Sequence, residues 1–102
     1  MIHFEEKLVG QSVTQINFVQ DYLQIVFSSK MTLTINNDFT YSRGQLTDFI
    51  DATVLGAITS DEEFILQFSD DRILLVGLAD KNYHCPEVMV MVDESGEIIV
   101  WQ

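Results

Sequence analysis

Apolar and polar residues alternate along most of the chain, and short polar breaks separate the alternating runs. Residues 22–27 and 31–35 are two such runs, and the second ends at the polar break 36–38. Alternation of period two predicts half-buried antiparallel strands, and the breaks predict turns. Residues 4–9 and 44–51 instead have apolar positions at helical spacing, over segments too short to be stable without a sheet beneath them.

The second half of the chain repeats the pattern of the first. The first copy spans residues 4–41 and the second spans residues 45–78. A shift of 41 positions lays residues 8–13 on 49–54 and 23–28 on 64–69, and one extra residue in the turn 69–72 then aligns 31–34 with 73–76. Each copy predicts a helical turn followed by three antiparallel strands. The alternative, that any two β-meanders align in this way, stays open.

Duplication has a physical use, because one three-stranded sheet leaves an apolar face that a second copy can cover. Residues 83–102 add a C-terminal hairpin, in which the run 88–92 is followed by a turn where Gly96 supplies a positive φ. The predicted fold is all-β and mainly antiparallel, a sandwich or a partly closed barrel of eight or so strands. It forms one domain over residues 1–102.

Charge is distributed unevenly between the halves. The 102 residues carry a net charge of −11, and residues 48–102 hold twelve acids against two bases. This balance disfavours nucleic acid as a ligand, because phosphate binding needs Lys and Arg. No apolar run reaches the length of a membrane span and the start does not resemble a signal peptide, so we expect a cytoplasmic protein.

The candidates for chemistry are weak. His84 and Cys85 are adjacent on an extended segment and therefore point to opposite sides, so the imidazole is poorly placed to activate the thiol. One Cys and two His do not supply the ligand spacing of a zinc site. The paired acids at 61–63 and 70–71 fall in predicted turns, where water solvates them, whereas acid–base catalysis needs carboxylates in differing environments. We expect no catalytic residue, no metal and no cofactor.

The acidic surface of the second half is the remaining candidate for a function. A charge excess serves solubility in many proteins, but it also attracts cationic partners and speeds their association. We expect some subset of the following carboxylates to contact a basic protein: Asp61, Glu62, Glu63, Asp70, Asp71, Asp80, Glu87, Asp93, Glu94 and Glu97.

The strand pattern of residues 21–27 and 63–71 and the ending from Tyr83 to Trp101 resemble those of small bacterial domains, although Cys85 stands where we would expect Gly. In size and acidity the chain is similar to the immunity proteins of bacterial toxin systems, including those of contact-dependent growth inhibition. This resemblance implies a cytosolic, non-enzymatic inhibitor that binds one cognate toxin domain, such as a nuclease. Immunity proteins share no common motif, so the resemblance assigns no site residue.

A second function fits the same sequence. The run 88–92 is apolar on both faces, and Met is frequent on adaptable binding surfaces. A structural or assembly module that self-associates through this run is therefore the alternative to a toxin inhibitor. The sequence leaves the oligomeric state open.

Overall fold

A computed structural model of the chain describes residues 4–19, 22–42, 44–78 and 89–101. Within these ranges the chain forms nine strands and two short helices. The strands are β1 (Val13–Val19), β2 (Tyr22–Phe27), β3 (Thr32–Ile35), β4 (Phe39–Tyr41), β5 (Val54–Thr59), β6 (Glu63–Phe68), β7 (Arg72–Gly77), β8 (Met89–Val92) and β9 (Ile98–Trp101). The helices are α1 (Phe4–Leu8) and a 3₁₀ helix (Leu46–Phe49). The predicted all-β class is confirmed.

The strands form two antiparallel sheets. Sheet one has the order β1-β2-β3-β8-β9, and sheet two has the order β4-β7-β6-β5. Alternate side chains of both sheets meet in one buried cluster, to which β2 and β3 contribute from sheet one and β6 and β7 from sheet two. Of the two predicted architectures, the described strands form the sandwich.

The halves exchange strands at the point where each meander ends. After β3 the chain leaves sheet one, and β4 pairs with β7 of sheet two; after β7 the chain returns, and β8 pairs with β3. Asn37, which is 2% exposed, lies in the first crossing and donates its side-chain N–H to the carbonyl of Gly77 at 2.8 Å. The exchange ties each half to the sheet of the other.

Equivalent residues of the two halves also meet where β1 and β5 begin. Ser12 and Thr53, which are 41 positions apart, form a β-bridge and join their hydroxyls at 3.1 Å. Main-chain hydrogen bonds around them occur in corresponding pairs: Gly10 N to Val54 O, and Asp51 N to Val13 O, both 2.8 Å. The helices cross as well, because α1 packs on β5 and the 3₁₀ helix packs on β1.

The predicted extra residue in the turn 69–72 is wrong. In sheet one Leu23 pairs with Ile35, and in sheet two Phe64 pairs with Val76, so the shift of 41 continues through β3 and β7. The alignment with an extra residue matched Ile73 to Met31 because both are apolar. Ile73, however, points outward and is 37% exposed, whereas Met31 is 1% exposed.

The backbone at Gly10 allows a test of the junction between the starts of β1 and β5. Gly10 (φ 91) and its equivalent Asp51 (φ 76) both adopt the left-handed region, which costs most L-residues about 1–2 kcal/mol. We expect Gly10→Ala to lower the free energy of unfolding by about 1 kcal/mol in urea denaturation, although an added Cβ would meet no atom within 4 Å. Gly10→Asp, which copies Asp51, should lose less, because Asp tolerates this conformation. Equal losses in the two variants would contradict this account.

Candidate functional site

Three consecutive acids lie at one end of sheet two, in and beside the turn between β5 and β6. Asp61, Glu62 and Glu63 are all exposed, as predicted for solvated turn residues. Ser60 closes the turn: its N–H donates to the carbonyl of Glu63 at 2.8 Å, and its hydroxyl accepts the N–H of Glu63 at 3.2 Å. The main chain is therefore fixed while the three carboxylates remain at the surface.

Helix α1 brings further acids to this turn. The hydroxyl of Thr59, at the end of β5, donates to the Glu5 carboxylate at 2.9 Å. Glu6 follows at the surface and is exposed. The sequence did not indicate these two residues, because they belong to the nearly neutral half and reach the turn only through the packing of α1 on β5.

The second acidic turn, between β6 and β7, lies at the opposite end of β6. Asp70 and Asp71 are exposed and have φ values of 64° and 59°, a left-handed conformation that Asp adopts more readily than most residues. The length of β6 separates this turn from Asp61–Glu63 by roughly 20 Å. The structure therefore does not bring the acids of the second meander together in one cluster; it places them at both ends of one strand.

Asp93 differs from the expected contact carboxylates, because it is 6% exposed. Its Oδ1 accepts hydrogen bonds from the Ser95 N–H at 3.0 Å, the Ser95 hydroxyl at 2.7 Å and the Glu97 N–H at 2.9 Å. Its Oδ2 accepts from Lys7 Nζ at 3.1 Å. Asp93 therefore organises the β8–β9 turn and ties it to α1, and its carboxylate is engaged within the fold.

The surroundings of Asp93 stabilise its charged form. The Ser95 hydroxyl, together with Lys7 and two backbone N–H groups, holds the pKa of this carboxyl well below its ordinary value, against the opposing effect of burial. The hydrogen bond between Lys7 and Asp93 raises the pKa of Lys7, and the negative charges of Glu94 and Glu97 also raise it. Glu94 and Glu97 themselves are exposed on the turn.

The rest of the predicted chemistry falls outside the described residues. Asp80 and Glu87, together with His84 and Cys85, lie in the range 79–88, of which nothing is described. Among the residues that are described, no group of three or more His, Cys, Asp or Glu side chains is placed to hold a metal ion. Among the described carboxylates, the buried one is Asp93, and hydrogen-bond donors already surround it.

Neither described helix is long and apolar enough to cross a membrane. Searches of protein-family models, of curated proteins and of solved structures find no match to the chain.

The Asp93 carboxylate predicts a specific pH dependence of stability. A depressed pKa in the folded state means that the stabilisation is complete above the ordinary carboxylate pKa of about 4 and is lost as the pH falls below it. We expect the melting temperature of the parent protein to fall more steeply below that pH than the melting temperature of Asp93→Asn. Glu94→Gln, an exposed neighbour, is the control and should keep the parent profile. Parallel profiles for the parent and Asp93→Asn would show that the contacts of this carboxylate do not stabilise the fold.

Proposed function

We propose that the chain is a non-enzymatic inhibitor of the immunity-protein type, which acts in the cytoplasm and neutralises a basic toxin domain, such as a nuclease, by binding it. The exposure of the carboxylates in both turns of β6 is the observation that carries the proposal. Glu5 on α1 is joined to Thr59 beside the first of these turns, and Glu6, Glu94 and Glu97 are further exposed carboxylates. Asp93 is not among the proposed contacts.

Electrostatics supplies the mechanism. A surface of net negative charge raises the local concentration of a cationic partner and can increase association rates to about 10⁸–10⁹ M⁻¹s⁻¹ at low salt. A nuclease domain is cationic where it binds its polyanionic substrate, so carboxylates can occupy the place of phosphates. An inhibitor of this kind acts by covering the site and needs no reactive group of its own.

Capture followed by a growth assay tests the function. The purified chain is immobilised, exposed to lysate of the source bacterium at low salt, and eluted with rising salt. We expect a basic protein that arrests growth when it is expressed alone and that loses this effect when the chain is co-expressed. A bait carrying Asp61→Asn, Glu62→Gln and Glu63→Gln is the control and should retain less of it. A captured protein without toxicity, or toxicity that co-expression leaves unchanged, would refute the proposal.

Self-association remains the second candidate, and the geometry changes which strand would support it. β8 lies between β3 and β9, so both its edges are paired and Met89 and Met91 are buried. Among the described strands, β9 is one of the two edges of sheet one, and it exposes Ile98 (66%) and Val100 (37%). Unpaired edges with exposed aliphatic residues favour strand-to-strand association. Sedimentation distinguishes the two functions, because the assembly module predicts a stable dimer of the chain alone.

A further inference from the structure

The outer faces of the two sheets differ although the strands beneath them correspond residue by residue. Four outward positions of sheet one that carry amides or threonines carry aliphatic residues at the equivalent positions of sheet two. The pairs are Asn17 and Ile58, Gln24 and Ile65, Thr32 and Ile73, and Thr34 and Leu75. Because sheet one forms the same meander with polar residues there, the fold itself does not require the aliphatic ones.

The aliphatic residues of sheet two adjoin one another across three strands. Ile58 on β5 is paired with Ile65 on β6, which is paired with Leu75 on β7. In sheet one, the pair equivalent to Ile58 and Ile65 is Asn17 and Gln24. The side-chain amide of Asn17 donates a hydrogen bond to the side-chain oxygen of Gln24 at 3.4 Å. An apolar row on one meander therefore replaces a polar row on the other, and scattered exposure does not explain a contiguous row.

Several residues of this face are open to solvent. Leu55, at the bulge of β5, is 63% exposed, Ile58 is 48% exposed and Ile73 is 37% exposed, whereas Ile65 and Leu75 are half-buried. A groove of about 260 Å³ lies at one end, lined by Leu55, Gln67, Phe68, Asp71, Arg72 and Ile73. The groove joins the apolar face to the acidic turn between β6 and β7.

Acids flank this face at both ends of its middle strand. Asp61, Glu62 and Glu63 lie at one end of β6, and Asp70 and Asp71 lie at the other. A second copy of the chain is a poor occupant for this face. If two copies stacked these faces on each other, with their β6 strands parallel or antiparallel, the acids of one copy would lie against the acids of the other. Like charges that face each other are unfavourable. A cationic partner meets no such repulsion.

We propose that the outer face of sheet two is the docking surface of the chain, and that its occupant is a basic protein with an apolar strip between two groups of Lys or Arg. The inference rests on the proposed function and adds where and how the partner binds. Apolar contacts would form the dry centre of the interface, and the two acidic turns would form its charged rim.

Two synthetic peptides test this arrangement with defined probes. The first has a central aliphatic run flanked at each end by lysines, and in the second Ser and Thr replace the run. We expect the first peptide to bind the chain at least about tenfold more tightly, as for a buried apolar anchor. In two-dimensional amide NMR, the shift changes should fall on β5, β6 and β7.

The decisive variant carries Ile58→Asn, Ile65→Gln, Ile73→Thr and Leu75→Thr, which copy sheet one. It should bind both peptides equally and keep its circular dichroism spectrum, because sheet one accepts these residues in the same backbone positions. Ile98→Thr, on β9 of sheet one, is the control and should keep the preference for the first peptide.

The outcomes separate the two proposals. If both peptides bind the parent chain equally and the fourfold variant binds as the parent does, the docking face is refuted while charge-driven binding stands. If neither peptide binds the parent chain at low salt, the proposed function fails together with the docking face.

Discussion

Leu33→Ala and Leu74→Ala should each lower the free energy of unfolding by about 2–5 kcal/mol. Leu33 on β3 is 0% exposed and Leu74 on β7 is 1% exposed, and the two residues occupy equivalent positions on the inner faces of sheet one and sheet two. Each truncation removes apolar contacts and leaves a cavity that close-packed neighbours fill only in part. Because domains of this size are stable by about 5–15 kcal/mol, the loss is a large fraction of the total.

Urea denaturation of the two variants measures this loss and tests the shared core. Thr34→Ala and Leu75→Ala, one residue further along the same strands, are the matched controls, since these side chains lie on the outer faces. The controls should stay within about 1 kcal/mol of the parent. A loss confined to one of the two inner truncations would mean that only one sheet depends on the core.

Much of the fold could be predicted because the strands of a sandwich alternate between core and surface. The alternation in β2, β3 and β6 matches the observed burial, with buried residues at every second position. Gly96, predicted to need a positive φ, has a φ of 90°. Both helical segments are present, and each is short, as expected of elements that depend on a sheet.

The exchange of strands between the sheets could not be predicted from these patterns. Phe39–Tyr41 follows β3 closely in the chain, yet it pairs with β7 of the other sheet. The choice depends on which edge of which sheet is open, and this is a property of the assembled sandwich. Hydropathy does not fix the register of β7 either, because Ile73, Leu74 and Leu75 are all aliphatic and the pattern alone does not tell which of them points inward.

Some features of the candidate site could likewise be predicted from the local sequence, and others depend on the assembled fold. The exposure of Asp61 and Asp70 follows from their positions in turns, which local sequence indicates. The burial of Asp93 does not, because its partner Lys7 is 86 positions away. The apolar outer face of sheet two becomes visible only when the register fixes which residues of β5, β6 and β7 are equivalent to those of β1, β2 and β3.

Neutralisation of the β5–β6 turn should slow association with the captured basic protein by about tenfold or more at low salt. The variant Asp61→Asn, Glu62→Gln, Glu63→Gln keeps the shape of each side chain and removes three exposed charges. Stability should change little, since the turn is closed by Ser60 and the main chain.

Stopped-flow kinetics at several salt concentrations measures this effect. The rates of the parent and of the triple variant should converge as salt rises, because charges separated by more than about 8 Å are already screened at physiological ionic strength. Asp51→Asn, which removes an exposed carboxylate beside the 3₁₀ helix, is the control and should associate at close to the parental rate. An association rate of the parent that is indifferent to salt, or an equal effect of Asp51→Asn and the triple variant, would mean that the β5–β6 turn does not steer the partner.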